Sequence, residues 1–353
     1  MTKTPTVGRT VDWGFAADIG AKLTRPAPAT TDYTRRQACD QLAAAARRAE
    51  LPVREVTLLN EGAEVSEARI IDRSQWVRAA TESMRVMTGG NTDRPDGLAA
   101  TLAGRVTGAQ TGAVLAFVSS GILGQYDPFA LSGPERSGEL LLIYPNIIAT
   151  ERQLLVDPAD FRLWVCLHEV THRVQFRANP WLTDHMSQAL AVLTDDAGLE
   201  PAAVAGRLAE FVRNQRDGDA DPNSQGILGI MRAVQSDEQR RALDQLLVLG
   251  TLLEGHADHV MDAVGPAVVP SVATIRGRFD ARRRRKQPPL QRIIRALLGF
   301  DAKMNQYTRG KKFVDEVVST VGMKRFNTIW TDAETLPLPT EIDEPRRWID
   351  RVL

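Results

Sequence analysis

"LWVCLHEVTHRVQF", residues 163–176, sets two histidines four apart, with a glutamate directly after the first, inside an otherwise apolar run. On an α-helix, residues four apart share a face one turn up, so His168 and His172 can present two imidazoles to a single ion. Glu169 is rotated about 100° from His168. There its carboxylate can act as general base toward a metal-activated water without ligating the ion itself. With five histidines and eighteen glutamates in 353 residues, composition alone yields about 0.004 such HExxH matches per chain. Accident is therefore a poor account of the pattern, although two histidines satisfied within a core stand as the rival reading.

The helix that carries the motif is expected to start near Pro158, after Asp157, and to end at Asn179 and Pro180, a length that makes it a central element. Shortly before it, "GELLLIYPNI" (138–147) reads as a strand, an apolar run bounded by Gly138 and by Pro145 and Asn146. "TTDYTRRQACDQLAAAARRAE" and "RSQWVRAATESMRVM" read as helices and together suggest a helical N-terminal layer. "PAAVAGRLAEFVRNQR" reads as a further helix. The polar stretch 217–226 follows as a loop, and then a long helical pattern covers "SDEQRRALDQLLVLGTLLEGHADHVMDAVG".

Forty-four basic and forty-four acidic residues cancel, so no global field draws the chain to nucleic acid or an anionic membrane. The balance hides a local excess. Residues 276–312 hold thirteen Lys or Arg against Asp280 and Asp301, around "RRRRK". With no recognisable nucleic-acid module and no aromatics within the basic run 282–295 itself, this segment reads as a solvated face rather than a nucleic-acid surface. Two cysteines, Cys39 and Cys166, suit a reducing compartment and no disulfide scaffold. The N-terminus lacks a signal-peptide pattern, which gives a cytoplasmic expectation. Val106 to Gly124 carries no charge over nineteen residues. Its glycines and polar residues favour a buried helix over a membrane span, and Gly104, Gly108 and Gly112 form a ladder suited to close helix packing.

A catalytic zinc takes three protein ligands and leaves a fourth position open. After His172 comes "RVQFRANPWLTDH", without the glycine and third histidine of metzincins. "LLEGHADH" (252–259) offers the third ligand instead, with Glu254 and Asp258 four apart on one helical face. Glu254 can bind the metal while Asp258 accepts a hydrogen bond from the far nitrogen of His168. His256, His259 or Asp258 stand as other candidate ligands, and His256 and His259 as oxyanion stabilisers. His185, beside Asp184, reads as a cap or surface residue. Two imidazoles and one carboxylate suit one zinc ion, whereas an all-oxygen set would suit magnesium or calcium. The arrangement resembles the gluzincins, thermolysin-like metallopeptidases with two histidines and a glutamate on zinc. The gap from His172 to Glu254 is longer than theirs and leaves room for an inserted helical hairpin.

A second resemblance covers nearly the whole chain. "VDWGFAADIGAKL", "GQYDPF", "LLLIYPNI", "DFRLWVCLHEVTHRVQF", "LLEGHADHVMD" and "GFDAKMNQY" are similar to an actinobacterial family of zincin-like, zinc-dependent metalloproteases that carries a coenzyme F420 biosynthesis label. That resemblance implies a mainly helical α+β, zincin-like fold with a small sheet beside the HExxH helix and additional helical layers. It also implies that His168, Glu169 and His172 form the site, while Glu254 rests on the gluzincin comparison. The expected organisation is an N-terminal helical region (1–130), a catalytic core (131–265) and a C-terminal helical region (266–353), packed as one compact unit. The reaction expected is hydrolysis of a peptide or amide bond, with "LLLIYPNI" as a wall for an extended substrate. Tyr126 and Tyr144 can donate to an oxyanion but read better as buried structural residues. Two other readings stand: an amide hydrolase acting on a small molecule or cofactor precursor, and a catalytically silent binding protein with the same fold.

Overall fold

Side-chain caps set where the helices begin. In the computed structural model, which describes residues 10–59, 67–90, 97–130, 138–193, 235–284 and 300–353, Asp12 accepts from the Phe15 amide and opens α1 (Trp13–Leu23). Thr31 caps α2 (Asp32–Thr57), and Asp72 with Gln75 forms a capping box on α3 (Arg73–Met87). Helix α4 (Leu98–Val118) follows, then strands β2 (Gly124–Asp127) and β3 (Glu139–Ile143), with β1 (Arg69–Ile71) placed before α3. Helix α5 (Tyr144–Leu154) leads to α6 (Pro158–Ala178), whose first turn is capped by Asp157 and whose end is capped by Asn179, as the sequence indicates. Then come α7 (Trp181–Leu193), α8 (Asp237–Val268, with a Ser236–Gln239 capping box), α9 (Val272–Arg284) and α10 (Phe300–Val321). A short helix, α11 (Met323–Phe326), a 3₁₀ turn (Asn327–Trp330) and α12 (Pro345–Val352) complete the chain. The helix expected over 201–216, the polar loop after it and the centre of the basic segment lie outside the described residues.

The sheet has the order β1-β3-β2, with β1 parallel and β2 antiparallel to β3. Its central strand is covered on both faces, which explains the continuous apolar run. Leu140 and Leu142 face the main core with residues of α2, α6 and α8. Leu141 and Ile143 face Trp76, Val77 and Ala80 of α3 and Leu115 of α4. The fold is mostly helical with a three-stranded sheet beside the HEVTH helix, as the sequence leads one to expect.

Three expectations need correction. The strand stops at Ile143, because Pro145 occupies the first turn of α5. The Asn146 amide there donates to the Ser119 and Ile122 carbonyls at 2.6 and 2.5 Å and accepts from Arg73 Nε at 2.6 Å. Helices α2 and α3 do not share a layer, since they pack in the separate cores on opposite faces of the sheet. "LLLIYPNI" cannot receive a substrate by edge pairing, because both edges of β3 are taken; β2 is the strand at the sheet's edge beside α6.

Glycines allow two helix pairs to meet backbone to backbone. On α4, a Cβ on Gly108 would lie 2.6 Å from the Asp12 carbonyl oxygen, and one on Gly112 would collide with the Ala16 carbonyl of α1. The uncharged stretch 106–124 is thus the second half of α4, a turn and the start of β2, and no described helix is long and apolar enough to cross a membrane. Helix α4 is buried on its glycine face only, since Val106 and Val114 are exposed. Gly255 of α8 and Gly310 of α10 press against each other, and a Cβ on Gly255 would overlap the Gly310 carbonyl group. Helix propensity favours alanine over glycine by about 1 kcal/mol, whereas overpacking costs about 1–3 kcal/mol and more where backbone must move. Gly255→Ala is therefore expected to lower the urea midpoint of unfolding. A raised midpoint would show that α8 and α10 can separate without cost.

Candidate metal centre

Helix α6 is buried on nearly every side, with Phe161, Cys166, Leu167, Val170 and Val174 all in the core. His168 and His172 emerge where this helix faces α8. Their Nε2 atoms lie 3.2 Å apart, with the rings nearly perpendicular at a centroid distance of 4.7 Å. Glu254 Oε2 of α8 lies 3.3 Å from His168 Nε2 and 3.7 Å from His172 Nε2. A tetrahedral ion with donor bonds of about 2.0–2.2 Å separates its ligand atoms by about 3.3–3.6 Å. The triangle of 3.2, 3.3 and 3.7 Å is close to one face of that tetrahedron. Glu254 Oε2 is buried and meets the two histidine nitrogens at ion-pair distance without a closer hydrogen bond, a costly state for a carboxylate unless a positive charge joins it. Among the described residues this trio is the group of His, Cys, Asp or Glu side chains arranged to hold an ion.

The zincin-like metallopeptidase profile matches residues 11–349. The chain belongs to that family. A solved structure from Chloroflexus aurantiacus, provisionally classed as a hydrolase with a novel fold, superposes with a TM-score of 0.67 at 26% identity, covering 97% of this chain and 98% of that one. No curated protein matches the sequence. The family and this neighbour support a metal-dependent hydrolase.

In this member of the zincin-like metallopeptidase family, Glu169 is buried and lies against the start of β2. A Cβ on Gly124 would sit 2.6 Å from Glu169 Cγ and 2.8 Å from Cδ, so only glycine leaves room for the carboxylate there. Burial raises the pKa of Glu169, against the lowering effect of His168 and His172. Burial also opposes a proton on His168, yet its contact with Glu254 and the charges of Glu254, Glu169 and Asp258 lift its pKa from 6.5 to about 9. Glu254 is held well below the usual carboxylate range: burial pushes it up, but the two histidines outweigh that.

The other candidate residues of α8 stand apart from the trio. His256 is fully buried, with its ring 5.4 Å from that of Phe326 and 5.5 Å from that of Trp330. Burial and the neighbouring His259 and His172 depress its pKa to about 3, so it stays neutral. His259 Nδ1 pairs with Asp315 at 2.7 Å, away from the three donors. Asp258 is close enough to act on His168 electrostatically, but its carboxylate lies 3.6 Å from Arg276 Nη1. His185 lies within α7 with its ring 5.7 Å from that of Trp181, and its Nε2 is buried, which removes the cap reading. The Tyr126 ring packs against Phe176, and its hydroxyl lies against Gly138. Gly124 escaped the sequence reading, although it sits inside "GQYDPF".

A histidine whose pKa rises on folding contributes stability below its unfolded value and loses it as pH climbs through its folded one. For His168 that window runs from 6.5 to about 9. The melting temperature of metal-free protein is expected to fall across this range, and His168→Gln to flatten the fall. Parallel profiles for both proteins would contradict the pairing of His168 with Glu254.

Proposed function

We propose that this chain is a zinc-dependent peptidase in which His168, His172 and Glu254 hold one ion and Glu169 is the general base. The observation that carries this reading is the half-buried triangle of three donor atoms, with a buried carboxylate oxygen facing both imidazoles at one corner. Zinc held there supplies a Lewis acid for a scissile carbonyl and makes a water acidic enough to ionise near neutral pH. With zinc bound, the Glu169 carboxylate would serve as the proton acceptor for the attacking water and the proton donor to the leaving nitrogen. In the metal-free chain burial raises its pKa, and a general base works best when its pKa approaches the working pH.

Peptide is the favoured substrate class because β2 lies at the edge of the sheet, and its first residue, Gly124, touches Glu169. An extended chain pairing with that strand would run past the base, with main-chain hydrogen bonds supplying affinity. The same contact supports placing the start of "GQYDPF" beside the proposed site.

Glu169→Gln is expected to retain zinc at the wild-type ratio while hydrolysis of a fluorogenic peptide mixture falls by about 10²–10⁴-fold. Retained activity would remove Glu169 from the chemistry. Gly124→Ala is expected to displace the Glu169 carboxylate, lowering kcat at unchanged zinc content; wild-type kcat would show that the contact is dispensable.

A further inference from the structure

Gln175 is fully buried on α6, three residues after His172, and its amide reaches both helices of the candidate centre. Its Oε1 lies 2.9 Å from His172 Nδ1. Its Nε2 donates to the Leu253 carbonyl at 3.0 Å and lies 2.9 Å from His256 Nδ1. These contacts fix which way the amide faces. Turned over, its oxygen would oppose the Leu253 carbonyl oxygen, two acceptors with no proton between them.

The direction of each proton follows. Gln175 Oε1 can only accept, so His172 carries its hydrogen on Nδ1 and, when neutral, bears its lone pair on Nε2. That Nε2 is the atom 3.2 Å from His168 Nε2 and 3.7 Å from Glu254 Oε2. The two amide hydrogens go to Leu253, the residue before Glu254, and to the neutral ring of His256. One side chain thus sets the tautomer of a ligand on α6 and ties α6 to the backbone beside the ligand on α8. His256 anchors the far end of this chain between Phe326 and Trp330.

We infer that Gln175 is a positioning residue of the metal centre: it makes His172 present Nε2 and holds Glu254 in register with the two histidines. The inference rests on the zinc site proposed above. Groups that orient metal-bound histidines in this way are worth about 10–100-fold in metal affinity.

The test compares wild type, Gln175→Met and Gln175→Glu as full-length, metal-free proteins. Zinc affinity is measured by competition with a chromophoric chelator, and the melting temperature is measured without metal. Both variants lose the bonds to Leu253 and His256, but Gln175→Glu keeps an acceptor for His172 Nδ1. The expected result is a loss of about 10–100-fold in zinc affinity for Gln175→Met, with most of it restored in Gln175→Glu at a similar cost in melting temperature. Equal losses that simply track stability, or wild-type affinity in Gln175→Met, would overturn the inference. The ¹⁵N–¹H imidazole spectrum of zinc-loaded wild type decides the matter even if a variant fails to fold: a proton on His172 Nδ1 is expected, and one on Nε2 refutes the assignment. Failure of wild type itself to take up zinc would instead sink the site reading on which the inference stands.

Discussion

Two imidazole nitrogens and one carboxylate oxygen meet where α6 crosses α8, each partly or wholly removed from water. Burying such groups is costly unless something positive joins them. In the metal-free chain a proton on His168 fills that role, as the raised pKa shows; in the proposed holoprotein a divalent cation does. Much of the surrounding architecture can be understood as holding this crossing closed. Helix α6 is embedded between α2, α8 and the sheet, and the buried Arg173, next to His172, is paired with Glu50 of α2. Helix α8 is also held by α10 through the contact of Gly255 with Gly310.

The sheet serves the crossing as much as the core. Its central strand is sealed on both faces, so its contribution is rigidity. Strand β2, at the edge, brings Gly124 against Glu169 and Tyr126 against Phe176, so one strand touches α6 at positions two turns apart. A side chain at position 124 would displace the Glu169 carboxylate.

How much of this was legible in the sequence depended on how local the signal was. The bounds of α6 were readable because Asp157, Pro158 and Asn179 act within one turn of the helix ends. The grouping of His168 and His172 was readable because helical geometry alone aligns them, and that Glu254 joins them was anticipated because a third donor was sought in "LLEGHADH". The end of β3 was misread because "ELLLIYPNI" stays apolar across the strand-to-helix switch, and Pro145 suits the first turn of a helix as well as the end of a strand. Gln175 escaped notice because its partners, Leu253 and His256, lie 78 and 81 residues away, although its three-residue spacing from His172 placed it on the same helical face. That His256 lies apart from the trio was not legible for a similar reason: the sequence does not reveal that Phe326 and Trp330 enclose it.

The claim at the centre of this account is that α6 and α8 together close a three-donor site. Anomalous diffraction at the zinc edge from crystals of the zinc-loaded protein tests it most directly. The account requires a single strong peak about 2.0–2.2 Å from His168 Nε2, His172 Nε2 and Glu254 Oε2. A peak that engages the histidines but leaves Glu254 aside, or no peak at the crossing of the two helices, would contradict it.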